Sequence, residues 1–469
     1  MKKIKILTIT LAIIAITMIA FWGIYTQVQN RMENQVKNYS YAPDLRGSRN
    51  VRLKVSTGNK RTIKDAEGKV VEDTESLTDE QIAEKGYTKE EAPYNSEEVK
   101  TLENYKTSQK IIEKRLKKLG VNYYSIKLDE QTGDIIIEMT EDDNTDSVVG
   151  NLNTVGKFEI VDSQTNEVLM NNQDVKLAKV MYSSGSSTTG NGTSVYLDIE
   201  FNKEGAKKLE EMSSQYVKTE EASTEENTTS EENATEENTQ EEDSNEKKIT
   251  MKIDDTTIMS TNFDEPIRTG KLQLSIGSSA SDEATLQNYV TRASSMATVL
   301  DTGNIPVKYD IDENQYVLSD VTEKEMEIAI YVVLGIMVIA LIALMVKYKG
   351  LGALGVISYI GLVSLFMIVI RYTNVVLSIE GLFGLAIVLI LNYILIYHLL
   401  RKENKKGEIY KGFFIKILPI IILAITFCFI NWMPMNSFGT VMFWGIALMA
   451  VYNGIVTNSL LKINERKEK

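Results

Sequence analysis

The hydrophobic residues of the chain fall into two patterns, and the first is a set of six long apolar stretches. They lie at 6–25, 328–346, 351–370, 382–400, 413–430 and 438–461. Each stretch has roughly the 17 to 25 residues that a helix needs to cross about 30 Å of hydrocarbon. The pattern therefore predicts a polytopic α-helical membrane protein with six transmembrane helices.

The second pattern, between 27 and 327, consists of short segments in which apolar and polar residues alternate, with amphipathic helical segments between them. Alternation predicts β-strands with one buried face at 51–56, 134–139, 157–162, 195–201, 248–254 and 271–277. Helical spacing predicts helices at 97–119, at 203–217, and from an N-cap at Ser281 to just before Gly303. This order indicates a large α+β domain of the split β-α-β kind, with a long loop at 60–98.

The first apolar stretch follows the basic segment MKKIK and resembles a signal peptide in that respect. Its apolar core is long, however, and no small-x-small cleavage pattern follows Ala20-Phe21-Trp22-Gly23. We therefore interpret 1–26 as an uncleaved transmembrane anchor.

Basic residues mark one set of the segments that connect the spans. They precede the first span, and they recur after the second, fourth and sixth spans, at Lys347, Lys349, Arg401, Lys402, Lys405, Lys406, Lys411 and along 462–469. If every span crosses, these segments share one side, which the positive-inside rule identifies as the cytoplasm. Residues 27–327 are then extracytoplasmic, 328–461 form a five-helix transmembrane domain, and 462–469 form a cytoplasmic basic tail. The expected location is the cell membrane, with both termini in the cytoplasm.

The acidity of the chain, a net charge of −13, comes from the predicted outer domain. Between Gln27 and Met326 there are 58 acidic residues against 35 basic ones, which makes a nucleic-acid partner improbable. Residues 219–246 contain twelve acidic residues and no Lys or Arg. Such a segment cannot bury enough apolar surface to offset its ordering entropy, so we predict a disordered acidic insert. A solvated spacer is the simpler interpretation, and binding of cations or of a basic partner is the alternative.

The residues needed for several kinds of catalysis are missing. The chain has one histidine, His398, and one cysteine, Cys428, both within predicted spans. A Ser-His-Asp site needs a histidine beside its nucleophile, and a zinc site needs clustered Cys and His. No Walker-type phosphate loop is present either. The sequence therefore predicts no enzyme, no cofactor and no metal site.

The order of one anchor, a large outer domain and five further spans resembles the SecD subunit of SecDF, which assists protein export. The stretch Asp44-Leu45-Arg46-Gly47 is similar to the family's motif Gly-Leu-Asp-Leu-x-Gly-Gly, although Pro43 precedes it and Ser48 replaces its last glycine. Further similar stretches, in the same order, lie at 111–139, 251–277 and 302–307. The resemblance covers nearly the whole chain except the acidic insert.

This resemblance implies an outer domain with a base of ferredoxin-like subfolds and a movable head that holds emerging polypeptide. It also implies four partners: a SecF-like subunit, the Sec translocon channel, unfolded secretory polypeptide and membrane lipid. The family is related to the RND transporters, in which proton flow drives motion of the outer domain.

The fourth span departs from the family at the position of its proton-path aspartate. Gly381 and Gly384 match the family's glycines, and with a two-residue shortening Asn392 falls on the aspartate. An amide cannot take up and release a proton near neutral pH. Asn392 is interpreted either as a hydrogen-bonding contact to a neighbouring span or as a vestige that faces a SecF-like partner. We favour the first.

Two charges lie at the outer ends of the third and fourth spans. Arg371 follows the third span and Glu380 precedes the fourth, so a charge pair across the short outer loop is possible. The simpler alternative is that Arg371 reaches the membrane surface on its own.

Three functions are consistent with the sequence. The first is a SecD-like accessory subunit of the Sec translocase, with proton coupling doubtful in this subunit. The second is a membrane-tethered extracytoplasmic chaperone or scaffold that kept the fold and lost the motor. The third is half of an RND-type exporter.

Overall fold

A computed structural model describes residues 2–28, 31–66, 71, 78–187, 190–217, 247–254, 256–280, 282–401 and 406–465. The predicted acidic insert at 219–246 lies outside the described residues, as do Ser281 and the last four residues of the predicted basic tail. The tail's first residues continue a helix to Glu465.

The strands, in chain order, are β1 (Tyr25–Val28), β2 (Arg31–Asn34), β3 (Ser40–Tyr41), β4 (Ser48–Val55), β5 (Asn59–Lys64), β6 (Thr88–Pro93), β7 (Tyr124–Leu128), β8 (Ile135–Thr140), β9 (Phe158–Asp162), β10 (Val168–Asn171), β11 (Val175–Ser187), β12 (Gly190–Phe201), β13 (Ile249–Ile253), β14 (Thr256–Thr261), β15 (Lys271–Ala280), β16 (Tyr309–Val317) and β17 (Val376–Leu377).

The helices are α1 (Lys2–Trp22), α2 (Pro43–Arg46), α3 (Asp79–Glu84), α4 (Leu102–Lys118), α5 (Thr145–Leu152), α6 (Lys203–Gln215), α7 (Glu283–Thr302), α8 (Glu323–Tyr372), α9 (Ile379–Leu400), α10 (Lys406–Lys416), α11 (Leu418–Cys428), α12 (Met433–Tyr452) and α13 (Asn458–Glu465). A 3₁₀ turn lies at Asn172–Asp174, and a π-helical turn, Asn453–Thr457, joins α12 to α13.

The region between α1 and α8, which we call the outer part after its predicted location, contains two α+β units. The first, which we name unit 1, is built on the sheet β16-β4-β8-β7. All pairings in this sheet are antiparallel. Alternate residues of β4 and β8 point into one core, which α4 and α5 cover. Leu53, Ile135 and Ile137 are fully buried there because their strands alternate with period two. The predicted α+β character is thus present in the structure.

The second unit, which we name unit 2, contains the sheets β10-β9-β13-β14 and β11-β12-β15. Helices α6 and α7 pack against them around a core that includes Phe158, Leu197 and Leu209. Helix α7 is capped by Asp282, whose carboxylate accepts a hydrogen bond from the Thr285 amide at 2.8 Å. The predicted cap at Ser281 was therefore one residue early.

Two predictions for the outer part were wrong. The supposed loop at 60–98 contains the β5·β6 hairpin and α3, which bury Ile63 and Ile82. Its charged composition concealed these short elements, since so few of its residues are apolar. Helix α4 begins at Leu102 rather than near residue 97, because the Thr101 side chain caps it by accepting from the Asn104 amide.

A buried arginine stabilises the two chain segments that connect unit 1 and unit 2. Arg115 of α4 is 0% exposed. Its guanidinium donates to the carbonyl oxygens of Asn151 and Thr154 and, at 3.1 Å each, of Val155 and Gly303. The Ile305 amide also donates to the Val155 carbonyl oxygen at 2.8 Å, which pairs the outgoing segment with the returning one. Arg115 therefore ties both connections to a helix of unit 1.

The described residues contain four helices that are long and apolar enough to cross a membrane: Ile4–Trp22, Lys324–Tyr372, Ile379–Leu400 and Met433–Leu461. The second has 49 residues, more than twice the roughly 20 that one crossing needs. Near its middle Lys349 has a φ of 47° and a ψ of −123°, which are non-helical values. Helix α8 therefore consists of two arms that meet at Lys349. These helices make the chain a membrane protein.

The predicted fifth span, 413–430, is not one straight helix. Gly407–Lys416 and Leu418–Cys428 are bent by 52° at Ile417. Pro419 lies in the first turn of α11, and a proline there cannot continue the hydrogen bonds of the preceding helix. The apolar composition of this stretch concealed the break.

Candidate functional site

Helix α9, which carries Asn392, packs closely against α12 through two glycines. A Cβ atom at Gly381 would lie 2.2 Å from the Ser437 hydroxyl oxygen, and one at Gly384 would lie 3.2 Å from the Phe438 carbonyl oxygen. Ser378 caps the start of the helix, because its hydroxyl accepts a hydrogen bond from the Gly381 amide at 3.1 Å. The glycines therefore permit the close approach of the two helices.

The chain segment from the end of α1 to Gly47, which we call the outer segment after its predicted location, is attached to the start of α9. Strand β3 pairs in parallel with β17, and the Ala42 amide donates to the Leu377 carbonyl oxygen at 2.7 Å. Asp44 then accepts a hydrogen bond at Oδ2 from the Ile379 amide at 2.7 Å. Because the first amides of a helix have no partner within it, this carboxylate satisfies one of them. Asp44 thus links the outer segment to α9.

The rest of the stretch Asp44–Gly47 holds this attachment in place. Leu45 is buried in the core of the membrane helices. The Arg46 guanidinium lies over the Tyr41 ring, 4.8 Å from its centroid. Gly47 has a φ of 82°, and a Cβ there would lie 2.6 Å from the Val317 carbonyl oxygen, so only glycine fits.

Asp44 lies in an unfavourable environment for a charged carboxylate. Its Oδ1 atom is buried without a hydrogen-bond partner. Burial raises the pKa of Asp44 above the ordinary aspartate value, and the nearby carboxylates of Glu380 and Asp320 raise it further. The amides of Ile379 and Leu45 oppose this shift.

We expect Asp44→Asn to reduce the pH dependence of stability. A carboxyl whose pKa is raised by folding stabilises the protein fully below its unfolded pKa, and this contribution is lost as the pH rises through the folded pKa. The wild type should therefore lose thermal stability, relative to the variant, as the pH rises from below the ordinary aspartate range. Thermal unfolding of both proteins across that range measures this, and parallel curves would contradict the assignment.

Asn392 lies at the centre of a buried polar network between three helical segments. It is 0% exposed, and its Oδ1 accepts a hydrogen bond from Asn453 Nδ2 at 2.8 Å. Thr457 donates through its hydroxyl to Asn453 Oδ1 at 2.7 Å, and the hydroxyls of Thr457 and Ser358 are 2.6 Å apart. The network thus joins α9, the π-helical turn after α12 and the second arm of α8.

Every side chain in this network is neutral. Amides and hydroxyls donate and accept hydrogen bonds, but none titrates near neutral pH. The network can therefore hold the helices together, and it offers no group that binds and releases a proton. The hydrogen bond to Asn453 is a contact between two helical segments, as in the first interpretation of Asn392. The role of Asn392 as a replaced proton site stays a prediction.

Arg371 and Glu380 do not form an ion pair in the described structure. The Arg371 guanidinium lies over the Tyr39 ring, 4.1 Å from its centroid, and Glu380 accepts from the Ser378 hydroxyl at 3.1 Å. Tyr39 lies in the outer segment, so Arg371 contacts that segment instead of the charge across the loop. A cation over an aromatic face is favourable where water is scarce.

Sequence reasoning missed the partners of Asn392. Ser358, Asn453 and Thr457 are polar residues within apolar spans, and Asn453 and Thr457 are four residues apart, on one helical face. That spacing was the available signal. It did not show which span they contact, because the partners are far apart in sequence.

A scan against protein-family models finds no match, and a search of curated proteins finds none either. Several solved structures of SecDF are similar to this chain. A super-membrane-facing form of SecDF shares 16% identity with a TM-score of 0.43, over 99% of this chain and 57% of that one. SecDF from Thermus thermophilus, described as a translocon-associated membrane protein, shares 15% identity with a TM-score of 0.41, over 100% of this chain and 59% of that one.

A third structure, of a membrane component SecDF that enhances protein export, shares 16% identity with a TM-score of 0.34. Here 56% of this chain matches 98% of the other. The present chain thus spans less than three-fifths of the length of the first two SecDF chains. These identities and scores are too low to assign it to a family.

Proposed function

We propose that this chain is a SecD-like accessory subunit of the Sec translocase, which assists export of polypeptides across the cytoplasmic membrane. The observation that carries the proposal is the contact of Asp44 with the first amide of α9. It attaches the family-like motif of the outer segment to the helix in which the family has its proton-path residue. Displacement of the outer part would then act on α9.

The proposed topology has six crossings, with both termini in the cytoplasm and 27–327 outside. The break at Lys349 supports two crossings within α8, and the bent pair α10 and α11 supplies one more. The pairing of β3 with β17 supports one side for the outer segment and the loop before α9. The hydrogen bond from Lys347 to Tyr397 supports the opposite side for the turn in α8 and the end of α9.

The proposed outer domain is ferredoxin-like in unit 1. If β4, β7, β8 and β16 are numbered 1 to 4, its antiparallel sheet has the strand order 4-1-3-2. Helix α4 precedes β7 and α5 follows β8, as in the split β-α-β type, and unit 2 is inserted between α5 and β16. We propose a SecF-like subunit, the translocon channel, unfolded secretory polypeptide and membrane lipid as its partners. The role is that of a non-enzymatic subunit.

Proton coupling through position 392 lacks a titrating group. One proton moving down 100 mV releases about 2.3 kcal/mol, enough to bias a two-state domain roughly fiftyfold. The network around Asn392 contains no acid to collect it. This favours a second candidate, a membrane-tethered chaperone or scaffold without motor activity.

An export assay separates these functions. Membrane vesicles that contain the Sec channel, with and without this chain, are given a labelled secretory precursor, and its protease-protected fraction is measured over time. We expect the chain to increase the rate, and its increment to survive collapse of the membrane potential. Binding of precursor without a faster rate would indicate the scaffold, and extrusion of lipid or small molecules instead would indicate an RND-type exporter.

The same assay tests whether Asn392 occupies a vestigial proton site. Asn392→Asp restores a carboxyl there, and Asn392→Leu is the matched control that removes the amide without adding one. If Asn392→Asp makes the increment depend on the proton gradient and Asn392→Leu does not, the site is vestigial. Identical behaviour of both variants would contradict that idea.

A further inference from the structure

A cluster of cationic and aromatic side chains lies where the two arms of α8 meet the end of α9. The Lys347 ammonium donates to the Tyr397 hydroxyl at 2.5 Å and lies 4.7 Å from the centroid of that ring. The rings of Tyr348 and Tyr397 are in edge contact, with centroids 5.8 Å apart. Arg401 follows α9 directly, four residues after Tyr397 and thus about one helical turn along the chain.

The cations of this cluster lack carboxylate partners. Lys347, Lys349 and Arg401 form no ion pair with any carboxylate in the part of the chain that the structure describes. Each is exposed, so the positive charge faces outward at the end of the helices. An anion would therefore meet cations whose charge no carboxylate of the described residues neutralises.

The turn between the two arms of α8 places Lys349 in an unfavourable backbone conformation. Lys349 has a φ of 47° and a ψ of −123°, a region that favours glycine. A lysine occupies this position, and the nearest glycine, Gly350, is one residue later. A Cβ at Gly352 would lie 2.4 Å from the Leu344 carbonyl oxygen, so the arms are close at the turn. Lys349 thus lies at the turn itself, two residues after Lys347.

The first arm of α8 has few contacts near this end. Ile339 and Val346 are 69% and 74% exposed, while Leu344 is buried and the Tyr393 hydroxyl donates to the Ala340 carbonyl oxygen at 3.1 Å. Beyond the buried Leu344, Lys347 bonds to Tyr397 of α9. A ligand that bridges Lys347 and Arg401 would therefore strengthen the attachment of this arm to α9.

We propose that this cluster binds the phosphate headgroup of an anionic phospholipid in the cytoplasmic leaflet. Phosphate oxygens accept hydrogen bonds from ammonium and guanidinium groups, and arginine binds them in a bidentate manner. The Tyr397 hydroxyl accepts from Lys347 and so keeps its own hydrogen to donate to the phosphate. Tyrosines lie at headgroup depth in membrane proteins, and basic pockets between helices on the cytoplasmic side bind such headgroups. The assignment to this leaflet rests on the proposed topology.

The test measures lipid retained by the purified full-length protein. The protein is exchanged into detergent with equal amounts of phosphatidylglycerol and phosphatidylcholine, and bound lipid is measured by native mass spectrometry. We expect the wild type to retain phosphatidylglycerol preferentially. The double variant Lys347→Gln/Arg401→Gln should lose that preference: the ratio of bound phosphatidylglycerol to bound phosphatidylcholine should fall roughly fivefold for each charge removed. Tyr397→Phe keeps the ring and every charge. The same ratio should fall roughly fivefold in this variant because one hydrogen bond is missing.

The matched control is Lys5→Gln/Lys411→Gln, which removes the same charge from the same proposed side at other helices. It should retain phosphatidylglycerol as the wild type does. An equal loss in the control would overturn the proposal, because retention would then reflect net charge. Equal retention of both lipids by the wild type, or displacement of the lipid by inorganic phosphate, would overturn it as well.

Discussion

Replacing Arg115 by methionine is expected to lower the free energy of unfolding of the outer part by about 3 kcal/mol or more. Besides the four carbonyl oxygens, its Nε donates to the Thr302 hydroxyl at 3.3 Å. Methionine fills part of the volume and satisfies none of these acceptors. Each buried acceptor left without a donor costs about 1–3 kcal/mol.

The bonds of Arg115 balance the cost of burying its charge. Burial lowers the pKa of Arg115 to about 10, so the guanidinium still carries its charge at neutral pH. Asp254, whose charge partly opposes this shift, accepts hydrogen bonds from the amides of Gly156 and Lys157 at 2.7 and 2.8 Å. Loss of Arg115 therefore releases the connection on which Asp254 also depends.

Proteolysis of the full-length protein in increasing urea measures this loss in the outer part. The control is Lys114→Met, which makes the same kind of change at the exposed neighbouring residue of α4 and should alter the free energy by less than about 0.5 kcal/mol. Equal stability of the two variants would show that the connections between unit 1 and unit 2 do not depend on Arg115.

Asn392→Asp is expected to make the stability of the membrane helices depend on pH. Below the pH at which the new carboxyl ionises, it can donate or accept hydrogen bonds in the network as a neutral group. Above that pH the buried position must hold a charge, which costs about 2.5–3.5 kcal/mol at the centre of a membrane helix. The stability of Asn392→Asp relative to the wild type should therefore fall as the pH rises.

Thermal unfolding in acidic, neutral and alkaline buffers tests this expectation. Asn392→Leu serves as the control, because it removes the bond to Asn453 without adding a titratable group. Its cost should be about 0.6–2 kcal/mol at every pH. If Asn392→Asp and Asn392→Leu follow the same course with pH, position 392 is open to water and the buried network is not what the structure describes.

The membrane helices show which features a local sequence pattern predicts and which it does not. Apolar length predicted α1, both arms of α8 and α9 as helices long and apolar enough to cross a membrane, since a crossing needs about 20 apolar residues whatever they contact. The same criterion did not show the bend within 413–430, because hydropathy is insensitive to the helix break before Pro419. It also did not separate lipid-facing residues from buried ones, because both are apolar.

The sequence by itself determined the elements whose signal is local: apolar runs, and strands of period two in β4, β8 and β9. Only the tertiary structure decided which groups meet. Asp44 and Ile379 are 335 residues apart, and Asn392 and Asn453 are 61 apart. A hydrogen bond fixes a distance in space and leaves no period in the chain, so the attachment of the outer segment to α9 and the neutral network within the helices arise only from their packing.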